Sequence, residues 1–208
     1  MEKEEIVQCD SNGKIIGPID KLHAHSEEIR PKLTHYSTWS MIYHLPSGTY
    51  GIQLKNPKKH DKYGGGKWDM GVAGHNCYVK KGDTYLPLSF EESLVKEAEE
   101  EIGINITICD SEHNFINEIK ASPKKPLGFI FEKFHYKTER NNEWVGLGFV
   151  VVLSKEVHFT DNEVIDFKWL KPGELKNFLE NSTNYCDPLP LVFEKAEVFR
   201  NKHLELFK

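Results

Sequence analysis

One short stretch constrains this chain more than any other. Lys96-Glu97-Ala98-Glu99-Glu100-Glu101-Ile102-Gly103-Ile104 places four carboxylates within five positions. Ser89 with Glu92 three residues later is a capping-box start and Gly103 is a stop, so the spacing predicts a helix from Ser89 to Ile102. At about 100° per residue, Glu97, Glu100 and Glu101 share an arc of roughly 100°. Leu94, Val95, Ala98 and Ile102 fill the adjoining arc and face a core, while Glu92 and Glu99 point to solvent. The ordinary role of a Glu-rich helix is solubility. Here three carboxylates crowd the edge of an apolar stripe in the C-terminal half, where they repel one another and oppose the helix dipole. Divalent cations would offset that cost, and oxygen-only ligands at this spacing suit Mg²⁺ or Mn²⁺.

Around this helix the pattern is mixed α+β, with strands dominating. Glu5–Gln8 and Lys14–Ile16 flank an Asp-Ser-Asn-Gly turn, and Thr38–His44 and Thr49–Lys55 flank Pro-Ser-Gly; both read as hairpins. Residues 56–69 are a basic, Gly-rich loop. Strand patterns follow at 104–109, 127–136, 144–153 and 166–170, then a helix from Pro172 to about Leu179 and a terminal helix from Leu189. No repeat or low-complexity linker divides the 208 residues. The expectation is a single domain over 1–208, with a core at 5–180 and a helical C-terminal extension at 181–208.

Composition excludes several classes. Hydrophobic residues make up 38%, which is lean, but 12 Phe, 8 Tyr and 4 Trp supply enough burial for a core. The 27 basic residues against 32 acidic ones, a net charge of -5, argue against a long nucleic acid as partner. No apolar run reaches the ~18 residues of a membrane span. The start Met-Glu-Lys-Glu-Glu lacks signal-peptide regions, and Cys9, Cys77, Cys109 and Cys186 form no CxxC pair, as for reduced thiols in a cytoplasmic protein. Oligomeric state is not legible.

Lys96-Glu-Ala-Glu-Glu-Glu-Ile-Gly-Ile104 resembles the second half of the Nudix box, Arg-Glu-U-x-Glu-Glu-x-Gly-U with U aliphatic; only Lys96 for Arg departs. Upstream, Trp68-Asp-Met-Gly-Val-Ala-Gly-His75 resembles the W-D-x-x-V-x-G-H entry of the subgroup that includes isopentenyl-diphosphate isomerases and related hydrolases. Lys21-Leu-His-Ala-His25 and Asp166–Leu175 resemble that subgroup too, so the likeness runs from residue 5 to about 180. It implies a Nudix fold, a mixed sheet sandwiched between helices with an N-terminal hairpin and a C-terminal helix. It also implies a Mg²⁺-dependent pyrophosphohydrolase acting on a small-molecule diphosphate. Carried over by position, Glu97, Glu100 and Glu101 are metal ligands, joined by the carbonyl of Ala73. Glu100 and Glu101 are also catalytic candidates, as is Glu143, which matches an active-site Glu of the isomerase subgroup; Glu139 is its rival as base.

Lys55, Lys58, Lys59, Lys62 and Lys67 could hold phosphate as point charges, or be a solvated basic loop. Lys55, Lys67, His75 and Lys96 are the substrate-binding candidates, and Tyr63 and Trp68 could stack on a base or pack the loop. Two departures bear on activity. Leu88 stands where the box has its first Glu, with residues 76–88 read as an insertion, so a phosphate-binding protein without catalysis is the alternative from another class. Ala73 stands where the isomerases carry a catalytic Cys. His25 and His75 match two of their metal histidines, but Lys32 occupies the place of a third. Nucleotide sugars, ADP-ribose, dinucleoside polyphosphates, coenzyme A derivatives and prenyl diphosphates all stay open as substrates.

Overall fold

The computed structural model describes residues 4–58, 64–160 and 162–207; Lys59, Lys62 and Tyr63 lie outside them. The element order begins β1 (Glu5–Cys9), β2 (Ile15–Asp20), α1 (Lys21–Ala24), β3 (His35–His44), β4 (Thr49–Lys55), β5 (Trp68–Asp69) and β6 (Val72–His75). It continues with β7 (Tyr78–Lys81), β8 (Thr84–Pro87), α2 (Phe90–Ile102), β9 (Thr107–Ile108) and α3 (Glu112–Lys120). The chain ends with β10 (Leu127–Lys137), β11 (Asn142–Val152), β12 (Val164–Leu170), α4 (Pro172–Asn181), α5 (Leu189–Lys202) and a 3₁₀ turn at Leu204–Leu206.

A curled mixed sheet runs β12-β4-β3-β11-β10-β9, with β1, β2, β5 and β6 attached to its edges. The β11–β3 and β10–β9 pairs are parallel and the rest antiparallel. Strand alternation sorts the side chains. One face carries Trp39, Met41, Tyr43, Leu147, Phe149 and Val151 and is covered by α3 and α5 through Phe115, Ile119, Val192, Phe193, Ala196 and Phe199. The other carries Ile42, Val150 and Val152 under Phe90, Leu94, Ala98 and Ile102 of α2. The sheet is thus sandwiched between helices, as the resemblance implied.

Local chemistry explains α2 well. The Ser89 side chain accepts from the Glu92 N–H, the Glu92 carboxylate accepts from the Ser89 N–H, and Gly103 closes the helix at φ 68°. Its close seat on the sheet depends on glycines in β11. A Cβ at Gly146 would lie 2.3 Å from the Phe90 ring, and one at Gly148 would lie 2.8 Å from Leu94.

Several elements differ from the sequence pattern. The 104–109 strand shrinks to two residues, and β3 and β11 begin earlier than expected, at His35 and Asn142. The 76–88 insertion is a hairpin, β7–β8, with Tyr78 and Tyr85 in contact. The helix α3 had no strong sequence signature beyond its Ser111 cap. The helix α5 packs into the main core rather than trailing from it.

Replacing Gly146 with Ala should push α2 off the sheet and cost about 1–3 kcal/mol by overpacking. Urea unfolding should show the midpoint falling at constant slope.

Candidate functional site

The strand β3 changes partner along one edge, and this opens the site. Its residues 42–44 pair with β4, while residues 37–40 pair with β6. Into the region where β4 and β6 part, α2 sends Glu97 and Glu101. Glu101 is fully buried and Glu97 nearly so, whereas the Glu100 side chain is 46% exposed.

Gly74 makes room for Glu97. A Cβ there would lie 2.1 Å from the Glu97 carboxyl carbon, so only a residue without a side chain lets the carboxylate pass. Glu101 is met by three donors from two strands. The Ala73 N–H of β6 gives 3.0 Å to Oε2, Gln53 Nε2 of β4 gives 3.1 Å to the same oxygen, and Lys55 Nζ stands 3.5 Å from Oε1. Lys55 also lies 3.7 Å from Asp69 Oδ2. Asp69 is buried in β5 and accepts from the Met70 N–H and from the Cys186 thiol. On the outer side, Lys96 Nζ lies 3.2 Å from Glu97 and 2.5 Å from Glu100.

The charges of these groups are perturbed for identifiable reasons. Burial pushes Glu101 up to about 8; Lys55, the Ala73 amide and Gln53 oppose the rise, and the negative charge of Glu97 adds to it. Burial also raises Glu97, against the pull of Lys96, and raises Asp69, against the pull of Lys55. Burial works against the charge of Lys55 and Lys96, yet their carboxylate neighbours outweigh it and both stay firmly protonated. The carbonyl oxygen of Gln53 is buried without a hydrogen bond beside Glu101. A spare acceptor among buried carboxylates fits a hard cation with oxygen ligands.

A second group of donors lies along the same edge. His25 follows α1, His35 opens β3 and His75 closes β6, with ring centroids 4.6 to 5.3 Å apart. One nitrogen from each can be chosen so that all three lie within 4.8 Å of one another. Neither ring nitrogen of His35 makes a hydrogen bond. Burial depresses the pKa of His35, although Glu143 opposes it. Burial and the two neighbouring imidazoles hold His75 well below the usual histidine range. Neutral imidazoles are the form that ligates metal.

Glu143 is buried beside His35 in the parallel β11–β3 register, on the sheet face opposite α2.

The candidates therefore fall into two neighbouring groups. Glu97, Glu100, Glu101, Ala73, Lys55 and Lys96 come together around the α2 carboxylates, while His75 and Glu143 belong with the imidazoles. Lys67 is half-buried in the loop, its carbonyl accepting from the Lys55 N–H, and Lys58 is exposed. Trp68 is buried with Lys168 4.1 Å over its ring. The third imidazole comes from His35 rather than from position 32; Lys32 instead lines a cleft with Gln8, Asp10 and His135. Sequence reasoning missed His35, Gln53 and Asp69. A histidine starting an apolar strand and an Asp inside Trp-Asp-Met were the available signals, and both read equally well as packing.

Replacing Gly74 with Ala leaves the backbone conformation accessible but drives Glu97 from its place. A divalent cation held by Glu97 would then bind about tenfold or more weakly, read as a smaller metal-dependent shift in thermal unfolding.

No protein-family model matches the sequence, and no curated protein matches it. Among solved structures the chain is similar to DR0079 from Deinococcus radiodurans, with a TM-score of 0.63 and 15% identity, over 93% of this chain and 99% of that one. It is also similar to the MutT protein from Methanosarcina mazei Go1, with a TM-score of 0.53 and 16% identity, over 80% of this chain and 95% of that one. The chain therefore has the Nudix fold, a mixed α+β sheet held between helices.

Proposed function

We propose that the chain is a divalent-metal-dependent Nudix hydrolase that cleaves a diphosphate linkage in a small molecule. The observation that carries this reading is the convergence of Glu97 and Glu101 on one gap in the sheet, with Glu100 at its mouth. A carboxylate cluster so costly to bury suits a cation-binding role better than a structural one. Mg²⁺, or Mn²⁺, would be held by Glu97, Glu100 and Glu101 with the Ala73 carbonyl. When bound, it would supply charge neutralisation for phosphate oxygens and an acidified water.

The chain's own residues would do the rest. Lys96 and Lys67 would attract the anionic substrate, with Lys55 supporting from within and His75 at the far side. Glu101, which burial raises toward neutrality, would take the proton of the attacking water; Glu143, on the opposite face of the sheet with the imidazoles, is the second candidate. The absence of a carboxylate at Leu88 removes one accessory group. Leu88 is buried and its carbonyl accepts from Asn76, so the position serves packing here. Among the described residues no helix is long and apolar enough to cross a membrane.

Glu100→Gln and Glu101→Gln should each lower metal-dependent phosphate release by about 100-fold or more with the fold intact by circular dichroism. Glu143→Gln should do the same only if Glu143 is the base. A panel of diphosphate compounds with Mg²⁺ or Mn²⁺ and product identification supplies the substrate. Binding without turnover across that panel favours the non-catalytic alternative.

A second reading is favoured by the His25–His35–His75 cluster, which suits a transition metal with nitrogen ligands. The isomerase branch uses histidines of this kind, but Ala73 has no thiol with which to move a proton. Incubation with isopentenyl diphosphate should yield no allylic isomer by NMR; appearance of that isomer would replace the hydrolase reading.

A further inference from the structure

A cleft of about 500 Å³, a size that takes a small ligand, lies between the β1–β2 turn, residues 29–34 and the joined ends of β10 and β11. None of the α2 carboxylates lines it, and neither do His25, His35 and His75. Its floor is polar and held in place. Asn142 and Thr34 are 3% and 8% exposed. Asn142 Nδ2 donates to the Pro31 carbonyl at 3.3 Å, so its Oδ1 is the atom that meets Thr34 Oγ1 at 3.1 Å and His135 Nε2 at 2.6 Å. An amide oxygen only accepts. His135 therefore carries a proton on Nε2, and Nδ1 is the nitrogen left for a ligand.

The charges around this floor are unbalanced. Lys32, Lys137 and His23 stand exposed along the cleft, and neither lysine makes an ion pair among the described residues. The lining has one carboxylate, Asp10. Its Oδ1 accepts from the Asn12 and Lys14 N–H groups, each at 2.9 Å, and so closes the β1–β2 turn. Two ammonium groups thus face one carboxylate that is already engaged by backbone donors. In a chain with a net charge of -5, such a local excess of positive charge draws small anions to one place. Ammonium groups at the rim and a held imidazole on the floor suit phosphate oxygens.

We propose that this cleft is a second ligand site, which takes a small phosphate-bearing anion and stands apart from the α2 carboxylates. Lys32 and Lys137 neutralise the phosphate, and His135, oriented by Asn142, meets it from the floor. The occupant is an effector and not a substrate, because the cleft has no second carboxylate with which to hold a metal beside it. Thr34 and Asn142 immediately precede His35 and Glu143, and successive residues of a strand face opposite ways. The cleft and the imidazole group therefore lie back to back on β3 and β11. The site stands whether or not the α2 cluster hydrolyses anything.

The test is a calorimetric titration of the full chain with sodium pyrophosphate in metal-free buffer, so that no divalent ion carries pyrophosphate to the α2 carboxylates. ADP and uncharged adenosine are titrated in parallel. Pyrophosphate should bind, and Lys32→Ala and Lys137→Ala should each weaken it by about fivefold or more, as expected for the loss of one charge-assisted contact. Both lysines are exposed, so the variants should keep the wild-type circular dichroism. ADP lost in the same two variants and bound more tightly than pyrophosphate makes the occupant a nucleotide; ADP bound no more tightly makes it a simple phosphate. No pyrophosphate uptake at millimolar concentration overturns the proposal. So does uptake that survives the double variant but disappears in Lys96→Ala, which would place the anion at the α2 helix. Adenosine bound as well as ADP overturns it too, since the phosphate would then contribute nothing.

Discussion

The burial of Glu97 and Glu101 against the edge of the sheet is the interaction on which the site depends. Two carboxylates on one helix, four positions apart, are taken out of water and set beside a strand. Their cost is met by donors from three directions: Lys96 on the same helix, the Ala73 amide on β6, and Gln53 and Lys55 on β4. Each donor is available because β3 exchanges one edge partner for another between residues 40 and 42. A sheet with a continuous edge there would have used those backbone groups in a ladder and left no opening for the helix side chains.

Glycine governs how closely the layers approach. Gly146 and Gly148 let α2 settle onto β11, and Gly74 lets Glu97 cross β6. The two effects are linked: the depth at which α2 sits decides whether Glu101 reaches the Ala73 amide at 3.0 Å. Packing on the apolar stripe and geometry at the polar edge are therefore one constraint, since the same rigid helix carries Leu94, Ala98 and Ile102 on one side and the carboxylates on the other.

Much of the fold was legible in the sequence where signals were local. The α2 cap pair, the Gly103 stop, the β4 limits and the Pro172 start of α4 all follow from neighbouring residues, and the structure places them as expected. Where the expected bounds were off, tertiary contacts decided. His35 and Asn142 look like polar boundary residues, yet both lie inside strands because β3 and β11 pair along their full lengths. The short β5, β6 and β9 strands are too brief to show a period and exist only because partner strands pass beside them.

The sequence by itself determined that three glutamates would share one face of a capped helix, that a Gly-His pair would precede it, and that the composition suits a small anionic ligand better than a polyanion. These follow from helical periodicity, cap chemistry and charge, which act over a few residues or over the whole chain. Only the tertiary structure decided that Lys55 turns inward to Glu101 and Asp69, that His35 joins His25 and His75, and that Glu143 lies with the imidazoles rather than with the helix carboxylates. Those outcomes depend on which strands become neighbours. Strand neighbourhood is set by long-range packing and register, and no spacing along the chain encodes it directly.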